Sequence, residues 1–249
     1  MIKEGSAIGV LAGPPCETWC AARRFELPHG GPRLIRSLAH LWGLPQATFK
    51  EWAQLDFDNG LYRTSSLLMY ACYMYGAAGI LEHPAPPSDP LLPSSWFIPE
   101  TAHMRQLPQN KSTVDFVWID QCCFDAPSVK PIVFLVVTQP HFREGLENVQ
   151  GRGRCCHAAG SHSSLVGLDD QGNFRTAPAK QYPPALCEFL AASLHVSAQS
   201  HFEGSPSDQA PFSIGAADAL DCRLQQFHVP LDPYFEGHSW GAFGRDCRR

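Results

Sequence analysis

Two side chains in this chain stand where covalent chemistry would need them. Cys16 follows a short apolar run, Ala7 to Ala12, that is stopped by Gly13-Pro14-Pro15. Each proline fixes φ and lacks an N–H, so the thiol sits on a stiff loop and can approach an electrophile in a defined direction. Arg23 and Arg24 lie close enough in sequence to lower its pKa. Glu82 ends a second apolar run and is followed by His83-Pro84. Burial there would raise the carboxyl pKa and let it give or hold a proton near neutrality. The blander alternatives are a cysteine packed as a small hydrophobe and a carboxylate bonded to loop N–H groups. The flanking prolines, together with the second strand-end residue, favour the reactive reading.

Cys155-Cys156-His157 with His162 form a second group, and Cys122 or Cys123 would complete four zinc ligands. Their spacing matches no standard finger, and vicinal cysteines rarely chelate one tetrahedral ion. The sequence therefore predicts no metal, with Cys155, Cys156, His157 and His162 as weak candidates. Arg23, Arg24, Arg33 and Arg36, with Arg152 and Arg154, could hold phosphates or could be ordinary surface charge. Trp19, Trp42 and Trp96 could stack bases, although aromatic residues at such positions are more often packing anchors.

The elements that must position these groups alternate between strand and helix. Ala7–Ala12 reads as a buried strand. Helical pieces are predicted over Arg33–His40 and Gln46–Leu55, and a helix over Leu61–Ala78 capped by Asp58 or Asn59. Ile80–Glu82 is a short strand ended by Pro84, and a proline-rich loop then runs to residue 99. A short helix at Glu100–Leu107 precedes a strand pair, Val114–Ile119 and Ile132–Thr138. A last helix covers Pro184–Leu194. This order implies an α/β sheet, parallel at least in part, with its ligand crevice at the carboxyl ends of the strands.

The bulk composition sets the frame. The chain has 249 residues, 44% hydrophobic and 17% charged, which suits one globular domain, residues 1–196, followed by a weakly ordered tail, 197–249. The formal net charge of -5 argues against a general nucleic-acid coat, while leaving room for a local basic patch. Ten cysteines lack framework spacing and no signal peptide is visible, so reduced thiols and an intracellular location, the nucleus included, are expected. The longest apolar stretch, Leu67 to Leu81, is shorter than the about 20 residues a membrane span needs.

The loop Gly13-Pro14-Pro15-Cys16 resembles the Pro-Cys nucleophile loop of cytosine-5 DNA methyltransferases. Leu81-Glu82-His83-Pro84 resembles that family's Glu-Asn-Val or Glu-Asn-Pro motif. Asp120-Gln121-Cys122-Cys123-Phe124-Asp125-Ala126-Pro127, with Lys130 and the apolar strand after it, is similar to the family's later Gln-containing strand motif and its Lys. Trp42-Gly43-Leu44-Pro45, Trp96, Gly172-Asn173-Phe174-Arg175-Thr176 and Tyr182-Pro183-Pro184-Ala185-Leu186-Cys187 extend the likeness to a methylase-like module of retroelement-associated or protist reading frames.

The resemblance implies a partial Rossmann-like methyltransferase sheet of about four strands with helices, plus an irregular C-terminal tail. It implies that Cys16 attacks C6 of a flipped-out cytosine, that Glu82 steadies the N3 proton, and that S-adenosylmethionine supplies the methyl group. Pro14, Pro15, Arg23, Arg24, His83, Pro84, Gln121 and Lys130 would form the substrate loops, and DNA would be the partner. His83 stands at the family's Asn position, and cysteines follow Gln121 where the family has arginines. Only six residues precede Ala7, so the glycine-rich cofactor segment is expected to be missing, as in an N-terminally truncated protein. The first strand would then be an edge where the cofactor half docks. The alternatives are an inactive nucleic-acid-binding remnant of a mobile element and a structural zinc-binding module.

Overall fold

A computed structural model of the chain describes residues 9–25, 31–108 and 113–203, together with Ile2 and Ala7. Four strands form one sheet: β1 (Gly9–Ala12), β2 (Ala78–Pro84), β3 (Val114–Asp120) and β4 (Pro131–Val137), in the order β1-β2-β4-β3. β1 and β2 are parallel, and β4 runs antiparallel to both β2 and β3. Three strands therefore point the same way, with β4 inserted against them. Their carboxyl ends, and the start of β4, share one end of the sheet. The predicted α/β class and the partly parallel sheet are both observed.

Alternation along the central strands assigns the two faces. Leu81, Val133, Leu135 and Val137 pack with Met69, Tyr73, Trp96 and Met104 on one side. Ile80, Ile132, Phe134 and Val136 pack with Phe142, Leu146, Leu186 and Leu190 on the other. The first face carries α1 (Phe49–Tyr75) and α2 (Pro99–Met104), and the second carries α3 (Phe142–Leu146) and α4 (Pro184–Glu203). With helices on both faces, β2 is buried along nearly its whole length, as expected for an apolar strand without polar alternation. β1 is half-exposed and forms an edge of the sheet.

α1 corrects two expectations. It is one continuous helix of 27 residues, about 40 Å long at 1.5 Å per residue, where two separate helices were predicted. Thr48 starts it through a capping box: its hydroxyl accepts from the Glu51 N–H, and the Glu51 carboxylate accepts from the Thr48 N–H. Asp58 and Asn59 are not caps. They lie inside the helix, where Asp58 accepts from the Thr18 hydroxyl and Asn59 donates to the Trp42 carbonyl. Gly76, in the left-handed region at φ +69°, ends the helix.

Residues 33–40 are not helical. Arg36 is drawn inward, and the segment closes as a loop when the Leu44 N–H donates to the Ile35 carbonyl. α4 continues to Glu203, beyond the predicted Leu194 and into the segment read as tail. The remainder of that tail, 204–249, lies outside the described residues. Among the described residues no helix is long and apolar enough to cross a membrane.

Candidate functional site

The carboxyl ends of β1 and β2 bring Cys16 and Glu82 to the same end of the sheet, as their adjacent parallel strands require. Cys16 follows the Gly-Pro-Pro turn and caps a short 3-10 turn, Glu17–Trp19, with φ -104° and ψ 2°. That is the sparsely populated bridge region, where many active-site residues sit. The Trp19 N–H donates to the Cys16 carbonyl, and Trp19 is itself buried against Tyr62 and Ile98. The Cys16 loop is thus fixed to α1.

Glu82 is 4% exposed. Its Oε2 accepts a 2.8 Å hydrogen bond from the Tyr182 hydroxyl, while Oε1 is buried with no hydrogen-bond partner. Burial raises the carboxyl above its ordinary range, and the Lys130 ammonium and the Tyr182 bond pull it partly back. Gly13 lies against this pair: a Cβ built on it would fall 2.8 Å from the Tyr182 hydroxyl. The glycine of the turn is needed for close approach, and any side chain there would push the phenol away.

Lys130, immediately before β4, is the cation that both reactive groups feel. Its Nζ donates to the Ala179 carbonyl at 3.1 Å. Burial pushes the Cys16 thiol up to about 11, and Lys130 lowers it against that trend. Arg23 and Arg24 are not among the charges that act most on Cys16. Arg23 donates to the Glu17 and Arg33 carbonyls and to Gln54, and Arg24 pairs with Asp89 at 3.6 Å. They brace the loop, and Lys130 supplies the nearby positive charge.

His83 is fully buried. Its Nδ1 lies 2.6 Å from the Ser95 hydroxyl, and Trp19, Tyr62 and Trp96 present their rings around it. Its other ring nitrogen faces the Pro15 carbonyl without a hydrogen bond of normal geometry. This imidazole lies beside the Pro14-Pro15 loop. Burial drives its pKa down to about 3, so it is neutral at physiological pH.

The structure gives other expected residues different work. Arg36, read as a phosphate contact or as surface charge, is 2% exposed; it donates to the Leu41 carbonyl and the Thr18 hydroxyl and lies over the Trp19 ring. Arg33 is held by both oxygens of Glu51. Trp96 is buried and donates to the Pro84 carbonyl, so it anchors the loop after β2 rather than offering a stacking face. Gln121 is buried at the end of β3, its Nε2 without a hydrogen-bond partner.

Tyr182 was visible in sequence only as part of a Tyr-Pro-Pro motif, and nothing local shows that its hydroxyl reaches back to β2. A second constellation lies just past β3, where Cys122, Cys155, His157 and His162 bring their ligand atoms within 4.8 Å of one another. Cys156, the remaining candidate, is exposed and outside this group. Comparison with protein-family models, curated proteins and solved structures finds no match to this chain. The fold and the site therefore rest on their own geometry: an α/β sheet with a thiol, a protonatable carboxyl and an ammonium at the carboxyl end of its parallel strands.

Proposed function

We propose that this chain carries the base-attacking part of a cytosine-5 DNA methyltransferase-like site, with Cys16 as nucleophile and Glu82 as the partner of cytosine N3. The observation that carries this reading is the orphaned Oε1 of Glu82 beside a loop thiol. A buried carboxylate oxygen without a partner calls for a reason, and the N3/N4 edge of an extruded cytosine supplies one. Extrusion is a physical requirement, because C6 cannot be reached within the base stack.

Cys16 loses its proton to solvent, and the thiolate adds to C6. The electrons of the 5,6 double bond move to C5, and N3 takes a proton from the Glu82 carboxyl, whose pKa burial raises. Tyr182 holds the second carboxyl oxygen and so fixes which one faces the base. Lys130 favours the thiolate. C5 then takes a proton from solvent; loss of the original C5 hydrogen, expulsion of the thiolate and return of the N3 proton to Glu82 regenerate cytosine and the starting carboxyl.

Methyl transfer would need the S-adenosylmethionine implied by the resemblance. Among the described residues no glycine-rich turn joins a strand to a helix N-terminus, because β1 runs into Gly-Pro-Pro and β2 into a proline-rich loop. The described residues supply no such cradle and do not fit that cofactor. Base activation alone has its own readout. DNA incubated with the protein in heavy water should exchange cytosine C5–H for C5–D, and Cys16→Ser should abolish the exchange. Exchange at the same rate in the variant would overturn the assignment of Cys16.

A further inference from the structure

The structure assigns a zinc site, independent of the base-attacking residues, to Cys122, Cys155, His157 and His162. In tetrahedral zinc, bonds of about 2.3 Å to sulfur and about 2.0–2.1 Å to nitrogen give edges of about 3.3 Å N–N, 3.6 Å S–N and 3.8 Å S–S. The His157 Nδ1 to His162 Nε2 distance is 3.3 Å, and Cys155 Sγ lies 3.6 Å from His157 Nδ1 and 3.8 Å from His162 Nε2. All four ligand atoms, that of Cys122 included, lie within 4.8 Å of one another. As hydrogen bonds these separations are long; as the edges of one coordination tetrahedron they are the right lengths. Two thiols and two imidazoles are also the donor set that zinc takes in closed, structural sites.

The surroundings hold the ligands in place. Cys122 sits in the 3-10 turn Gln121–Phe124 directly after β3. Asp120, the last residue of β3, accepts from the Cys155 N–H at 2.8 Å and pairs with Arg154 at 3.2 Å. The Ser161 hydroxyl lies 3.3 Å from His162 Nδ1, which leaves Nε2 for the metal, the division of labour common in metal-bound histidines. Cys156, next to Cys155, is exposed and takes no part. The adjacent cysteines, which argued against a metal, therefore split: one is a ligand and the other faces solvent.

The fold needs such a clamp. From 154 to 177 the chain has no helix or strand, apart from an isolated bridge between Leu168 and Phe174. A segment this long and irregular in a compact domain calls for a tether, and metal binding couples directly to ordering. The loop leads to Ala179 and Tyr182, which contact Lys130 and Glu82. A metal at its start fixes the loop to the end of β3.

The test is metal content and ligand-field spectrum on the full chain, purified under reducing conditions without added metal. Mass spectrometry should find close to one zinc per chain. Titration of the metal-free protein with cobalt should give the intense visible absorption of a tetrahedral ion with thiolate ligands. Cys155→Ser should lose at least tenfold in zinc affinity, whereas Cys156→Ser should keep it. If Cys155→Ser does not fold, the wild-type cobalt spectrum still decides. Zinc well below stoichiometric with a weak octahedral cobalt spectrum would overturn the site, as would equal loss of metal in the two cysteine variants.

Discussion

His83 makes the stability of this fold depend on acid in a way that can be worked out in advance. The imidazole is 0% exposed, and burial lowers its pKa from 6.5 to about 3, with Arg36 and Lys130 adding charge repulsion. Because the folded pKa is depressed, the native state holds His83 neutral while the unfolded chain protonates it below 6.5. Its contribution is therefore complete above pH 6.5 and is lost as pH falls from there toward 3. At about 1.4 kcal/mol per unit, lowering the pH from 7.5 to 4.5 removes roughly 2.6 kcal/mol.

Glu82, raised by burial, acts in the opposite sense: its contribution is present below its unfolded value and lost as pH rises. Whole-protein stability thus mixes the two, and the comparison must be with a variant. His83→Asn keeps a polar side chain in the site and removes the titrating ring. Urea unfolding of both proteins at several pH values should show the gap between them narrowing by roughly 2.6 kcal/mol from pH 7.5 to 4.5. A constant gap across that range would refute the reasoning, because it would mean that His83 titrates alike in both states.

Four further outcomes follow from the same contacts. The rate at which Cys16 is alkylated by a small haloacetamide should climb about tenfold per pH unit from 7 to 10, since only the thiolate reacts and its pKa is about 11; a plateau near neutral pH would contradict the buried thiol. Lys130→Met should slow that reaction at fixed pH, because the ammonium that lowers the thiol pKa is gone; an unchanged rate would remove Lys130 from the site. Arg36→Met should cost about 3 kcal/mol in urea unfolding, because the cation buried over Trp19 and bonded to Thr18 leaves a network that cannot be resolvated. Arg24→Gln, on an exposed pair, should change stability by less than about 0.5 kcal/mol.

The sheet was legible in the sequence because its strands are short apolar runs cut off by Pro, Gly and charged residues, and Cys16 and Glu82 could be placed at strand tips on that basis. The Thr48 cap and the continuity of α1 were missed because Thr48 and Glu51 signal a cap only as a pair, while Asp58 and Asn59 each look like caps alone. Arg36 looked like surface charge, since no local pattern reveals that Thr18 and the Leu41 carbonyl will meet it. Tyr182 and Glu82 are 100 residues apart in sequence, and Cys122 and Cys155 come together only because β3 ends beside the returning loop. Local composition names such residues, and only the sheet order decides which of them meet.

The claim that Cys16 is a base-attacking nucleophile is tested most directly with DNA containing 5-azacytosine. The ring nitrogen at position 5 makes C6 more electrophilic and takes a proton in place of a methyl group, so no methyl donor is required. Intact-mass measurement of the full chain after incubation at pH 9 should show one strand of DNA covalently added per protein. The adduct should form equally in Cys20→Ser and be absent in Cys16→Ser. An adduct that survives Cys16→Ser, or no adduct at all with the unaltered protein, would contradict the account.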